Sequence, residues 1–171
     1  VTKQKRYNNT MLFRMESEIP PVMPIRLKLE INCFEHFTEM GLVEVPFSVG
    51  NKWFSGSCKI TTYQFAELLG TKLRALYQRK KGRDLFDLYV ALKQTDVNPD
   101  DVIRCYHKYM RFTVQQPPTY KQFILNMEEK IQDPDFLGDS QLLLRPEISF
   151  NPQEAYLVVK ERLIDRLSWT R

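Results

Sequence analysis

The 171 residues suffice for one domain with a real core, or for part of a larger one. A composition of 43% hydrophobic and 27% charged residues excludes a disordered chain, and no apolar run reaches the roughly 20 residues that cross a bilayer. The formal charge of +4 is small but uneven: Lys72, Arg74, Arg79, Lys80, Lys81 and Arg83 lie between Leu68 and Arg83 with no acidic residue among them, leaving 19 basic against 21 acidic residues elsewhere. A positive field confined in this way suits a phosphate-binding site.

The opening, Val1 to Arg14, is too polar and basic for a signal-peptide core. Cys33, Cys58 and Cys105 are far apart and form no CxxC pair. With only His36 and His107 beside them they supply no zinc set, and a reducing cytoplasm is expected.

From Ile25 to Cys33 the alternation predicts a strand, with Ile25, Leu27, Leu29, Ile31 and Cys33 on one face and Arg26, Lys28, Glu30 and Asn32 on the other. Val43–Phe47 and Cys58–Thr61 read as two further strands around a turn containing Gly50, Asn51 and Gly56. Beyond Thr61 the pattern is helical. Thr61 with Gln64 reads as a capping box for a helix to about Arg79, and Lys80–Lys81–Gly82 as a basic turn before a second helix, Arg83 to Gln94. Asn98–Pro99 opens a third helix to about Phe112, Thr119 with Gln122 a fourth to about Gln132, and Asn151–Pro152 a last one to about Leu167. The fold class is α+β: a sheet region over 1–61 and a helical region over 62–171.

On the first helix Phe65, Leu69, Leu73 and Leu76 form an apolar stripe, widened by Leu68 and Ala75, while Glu67, Thr71, Arg74 and Gln78 fall on the opposite, solvated face. Lys72 and Arg79 fall inside the apolar arc. A lysine there needs a carboxylate or a ligand phosphate, or else snorkels to water. The second helix is apolar almost all round except for Asp84 and Asp87, neighbours in its first turn beside the basic turn. Helix-end electrostatics with an Arg79 or Arg83 ion pair is the alternative to a functional pair. Glu30, on the polar side of its strand, equally fits the alternation of a half-solvated edge strand.

Two runs carry a resemblance. Leu27-Lys28-Leu29-Glu30-Ile31-Asn32 is followed by Glu67-Leu68-Leu69-Gly70-Thr71-Lys72-Leu73-Arg74-Ala75-Leu76 and then Gln78-Arg79-Lys80-Lys81-Gly82-Arg83-Asp84-Leu85-Phe86-Asp87-Leu88-Tyr89. The order of lysine, basic turn and Arg-Asp-x-x-Asp resembles the AbiEii/AbiGii-type nucleotidyltransferase toxins of bacterial abortive-infection systems, over about Arg26 to Leu92. The resemblance implies a polymerase-β-like nucleotidyltransferase fold, of which this chain would hold a remnant of the mixed sheet and a C-terminal helical bundle. It implies that Lys72 contacts a nucleoside triphosphate, that Asp84 or Asp87 takes the acidic role beside it, and that Arg79 and Arg83 support phosphate or RNA. Glu30 would be the third carboxylate beside Mg²⁺ ions that neutralise the transferring phosphoryl group. The implied acceptor is tRNA or another RNA, the implied protein partner is a cognate antitoxin, and no membrane is involved.

The Gly-Ser turn and Asp-x-Asp strand that open such enzymes do not precede Glu30. With Val1 at the start, the chain is expected to be the C-terminal portion of a family member and inactive alone. The other reading is a non-catalytic module that binds RNA or a partner through Leu68–Arg83, helped by Lys160, Arg162 and Arg166.

Overall fold

The computed structural model describes residues 2–5 and 7–168. They form two compact units, Val1–Phe37 and Thr38–Arg171.

The first unit is an antiparallel sheet of order β1-β2-β3, with β1 at Thr2–Lys5, β2 at Asn8–Glu16 and β3 at Pro24–Asn32. The alternation of β3 fixes its register on β2, with Leu29 opposite Met11, Leu27 opposite Phe13 and Ile25 opposite Met15. These apolar side chains share one face, and Glu30, opposite Thr10, points to the other.

The second unit opens with a hairpin, β4 (Leu42–Gly50) and β5 (Ser55–Tyr63), paired from Leu42↔Tyr63 to Gly50↔Ser55. Its turn is closed by Asn51, whose Oδ1 accepts from the Trp53 and Phe54 N–H groups at 2.9 and 3.0 Å. Both sheets of the described residues are antiparallel, and no mixed sheet forms among them. The hairpin belongs to the same compact unit as the helices, although the sequence pattern groups it with the earlier strands.

Among the described residues six α-helices follow: α1 (Phe65–Gln78), α2 (Gly82–Gln94), α3 (Pro99–Thr113), α4 (Tyr120–Ile131), the short α5 (Pro134–Gly138) and α6 (Pro152–Arg162). The caps at Asn98, Thr119 and Asn151 form as their sequences predict; Thr119 and Gln122 complete a full capping box. Thr61 caps nothing. It lies inside β5, and α1 starts at Phe65 after Gln64, which makes no side-chain cap. The helical core is built from Leu73, Leu76, Leu85, Leu88, Leu92, Tyr106, Met110, Phe123, Met127 and Leu163, all within 1% of complete burial. Helix α1 packs on α3 and α2 on α6. Gly70 sets the first of these contacts, since a Cβ there would lie 2.6 Å from Cys105 Cβ and 2.8 Å from the Tyr106 nitrogen.

Candidate functional site

The junction between α1 and α2 is three residues long, Arg79 to Lys81. Arg79 leaves the helix in extended conformation while its N–H still bonds the Ala75 carbonyl. Gly82 then starts α2 against the backbone of Phe136, where any Cβ would sit 2.1 Å from the carbonyl oxygen. This close approach is why a glycine ends the basic turn.

The geometry gathers Lys72, Arg79, Asp84 and Asp87 into one cluster. Asp84 is fully buried, and both its oxygens are engaged. Arg79 donates from Nε to Oδ2 and from Nη2 to Oδ1, each at 2.6 Å, a bidentate fork. Lys72 Nζ adds a contact to Oδ1 at 3.3 Å and reaches Asp87 Oδ2 at 2.8 Å. The Lys72 side chain is 29% exposed, so the lysine of the apolar arc reaches carboxylates at the edge of the core. Burying one carboxylate is tolerable only because two cations meet it. Its hydrogen bond in turn holds the Arg79 guanidinium above its ordinary range, against the opposite pull of burial.

The two aspartates, which the sequence left equivalent, differ sharply. Asp84 is 0% exposed and Asp87 46%. Asp84 therefore fixes the directions of Lys72 and Arg79, while Asp87 and the outer edge of Arg79 face solvent.

Arg83 is not part of the cluster. Its Nε lies 3.4 Å from Asp139 Oδ2, and its backbone N–H donates to the same oxygen at 3.2 Å. Lys81 also pairs with Asp139 and Lys80 with Asp133, while Arg74 lies over the Tyr109 ring and donates to its carbonyl. Of the six cations expected along Leu68–Arg83, three thus meet two carboxylates remote in sequence, and Lys72 and Arg79 meet Asp84 and Asp87. Glu30 lies on the first unit's sheet, half-exposed and paired with Lys28 at 2.7 Å.

Glu67 departs furthest from its expected place. Instead of facing solvent it is completely buried, accepting from Thr38 Oγ1 (2.7 Å), the N–H groups of Glu39 (2.7 Å) and Met40 (3.0 Å), and Tyr109 Oη (2.6 Å). Burial pulls its carboxyl up, but the Tyr109, Glu39, Thr38 and Met40 hydrogen bonds together hold it below the ordinary value. Tyr106 and Tyr109 are core residues. A further buried charge, Lys130, donates to the carbonyls of Leu76 (2.5 Å) and Tyr77 (2.8 Å), capping the end of α1 from α4. A single helix wheel carries no signal for Glu67 or Lys130, because their partners come from 27 to 54 residues away.

Among the described residues no three His, Cys, Asp or Glu side chains converge to hold a metal ion. The Asp84 oxygens, already taken by Lys72 and Arg79, do not make such a set either. Nor is any helix of these residues long and apolar enough to cross a membrane.

The profile of the family described as Nucleotidyl transferase AbiEii toxin, Type IV TA system, matches residues 1–157. No curated protein and no solved structure is significantly similar to the chain.

Proposed function

The chain belongs to the AbiEii nucleotidyltransferase toxin family of type IV toxin–antitoxin systems, and on that premise we propose that the α1–α2 junction engages the phosphates of a nucleoside triphosphate for transfer of a nucleotide to an RNA acceptor, tRNA in the first instance. The observation that carries this reading is buried Asp84 holding Lys72 and Arg79 side by side at the edge of the core. Two cations fixed by one buried acid are preorganised for a polyanion, and the guanidinium N–H groups turned away from Asp84 remain for it. Asp84 is then a positioning residue, and Lys72 and Arg79 are the groups that touch phosphate. Asp87, half-exposed, gives up its contact with Lys72 as the phosphate arrives. Arg83, paired with Asp139, has a secondary supporting part.

The substrate is Mg²⁺–nucleoside triphosphate, with the metal carried chiefly by the phosphate oxygens. No step is assigned to a metal held by the described residues. On the sheet of the first unit, Glu30 is proposed as a carboxylate that a Mg²⁺ ion draws away from Lys28. The protein partner is a cognate antitoxin and the working compartment the cytoplasm. The ion-paired state of Lys80, Lys81 and Arg83 weighs against a purely phosphate-gripping module along Leu68–Arg83.

Calorimetric titration with ATP, GTP, CTP and UTP, with and without Mg²⁺, tests the proposal. One triphosphate should bind in a Mg²⁺-dependent way, and Lys72→Ala should weaken it about tenfold or more, the loss of one charge-assisted contact. Equal binding by wild type and Lys72→Ala, or none by wild type, would overturn it.

A further inference from the structure

A second row of cations in the helical unit lies on α3, away from the basic turn. Arg104, Lys108 and Arg111 are exposed and stand at i, i+4 and i+7, so they project from one face at axial steps of about 6 and 4.5 Å. They line a groove of about 490 Å³, which Arg166 joins from the segment after α6. Two carboxylates, Glu39 and Asp100, share that groove. Glu39 is divided between Arg104 and Lys108, 3.8 Å from each, and is itself held by its backbone N–H on buried Glu67. Asp100 takes Arg166 at 2.7 Å, and Asp101 takes Arg104 at 3.1 Å from outside the groove. Arg111 has no ion pair among the described residues.

A second recess of about 380 Å³ shares His107 and Arg111 with the first and continues it past Pro117, Pro118 and Tyr120. Burial and the neighbouring Arg111 charge lower the His107 pKa, favouring a neutral imidazole. A cationic row thus runs into a recess whose lining includes the His107 and Tyr120 rings.

We infer that the α3 groove binds single-stranded RNA, its phosphates following Arg104, Lys108 and Arg111 and a base resting in the recess beside His107 and Tyr120. Repeated charge at short spacing matches a polyanion, and an imidazole and a phenol ring in the adjoining recess suit an unstacked base. An acidic peptide would satisfy the first feature and leave the second unused. The inference deepens the proposed function by giving its RNA acceptor a place to dock.

The test is fluorescence anisotropy of the full chain with a labelled mixed-sequence RNA of about 12 nucleotides, in a salt series, and with an oligoglutamate competitor. Binding should fall with salt with a slope of about −2 for three phosphate contacts. Arg104→Ala with Arg111→Ala should lower affinity at least about tenfold and flatten the slope by about 1.4. Both side chains are exposed, so the variant should keep the wild-type melting temperature. Lys80→Ala with Lys81→Ala should leave RNA binding within about twofold, since neither side chain lines the groove. Absence of RNA binding, equal affinity in the α3 variant, or displacement by oligoglutamate at matched charge would each overturn the inference. Triphosphate titration of the same variant separates the two claims. If triphosphate binds normally while RNA does not, only the groove assignment fails; if RNA binds and no triphosphate does, only the transfer reading fails.

Discussion

Asp84 and Arg79, five residues apart across a helix junction, form a two-pronged ion pair in which the acid is wholly buried and the base half in solvent. The pair has an inside and an outside. Its inner member has no role beyond holding its partners, and its outer member keeps a donor edge toward water.

This asymmetry makes the two aspartates unequal. An amide at position 84 keeps one acceptor but turns an NH₂ group toward a cationic donor. Asp84→Asn should cost about 1–3 kcal/mol of stability and weaken triphosphate binding. Asp87→Asn, which loses one half-exposed contact, should cost less than about 1 kcal/mol. Urea unfolding of the two variants beside wild type checks the order, and equal losses would refute it.

Glu67 should control stability on the acid side. Its carboxyl titrates below the ordinary 4.5 in the folded chain, so its contribution is fully present above that value and drains away as the pH falls through the lower folded value. Glu67→Gln should lower stability by about 1.5–3 kcal/mol near neutrality and flatten the acid limb. Thermal melts from pH 3 to pH 7 would show both effects; an unchanged acid limb would contradict the assignment.

Lys130 works with the opposite sign. Burial lowers its pKa to about 8 from 10.5, so between those values the unfolded chain binds the extra proton and stability climbs as the pH rises. Relative to Lys130→Met, the wild type should gain on the order of 1.5 kcal/mol between pH 8 and 9.5. The comparison must be differential, because the Cys105 thiol, pushed up to about 11 chiefly by burial, acts the other way in both proteins. Parallel curves for the two proteins would exclude a buried ammonium.

Gly70→Ala reverses the usual rule for helices. At an exposed site the change would stabilise by about 1 kcal/mol. Here the added carbon meets Cys105 Cβ at 2.6 Å and the Val102 carbonyl oxygen at 2.9 Å, so a loss of about 1–3 kcal/mol is expected as α1 and α3 are forced apart. A melting temperature at or above wild type would show that the helices give way freely.

These residues also show what sequence can convey. The α+β class, the main strands and the caps at Asn98, Thr119 and Asn151 were legible because each depends on neighbours within a few positions. Lys72, Arg79, Asp84 and Asp87 stood out as charges misplaced on apolar helices, and they do meet. What stayed hidden was remote pairing. Nothing near Lys80, Lys81 or Arg83 announces Asp133 and Asp139, and Glu67 occupies the nominally wet side of its helix because Thr38–Met40 and Tyr109 cover it. The stripe Arg104, Lys108, Arg111 was readable in principle from its spacing, yet whether it opened on a groove depended on Glu39, Asp100 and Arg166.

The cap that Lys130 places on α1 also bears on timing. The four clustered residues lie between positions 72 and 87, whereas the side chains that finish their surroundings, Lys130, Asp133 and Asp139, follow more than 40 residues later. A ribosome has therefore delivered the whole cluster well before it makes the ammonium that seals the end of α1 and the acids that quiet the basic turn. During that interval Lys80, Lys81 and Arg83 lack the acids that pair them, although Lys72 and Arg79 already have Asp84 and Asp87 at hand. Only the arrival of α4 and α5 turns it from a generally sticky basic stretch into a discriminating one.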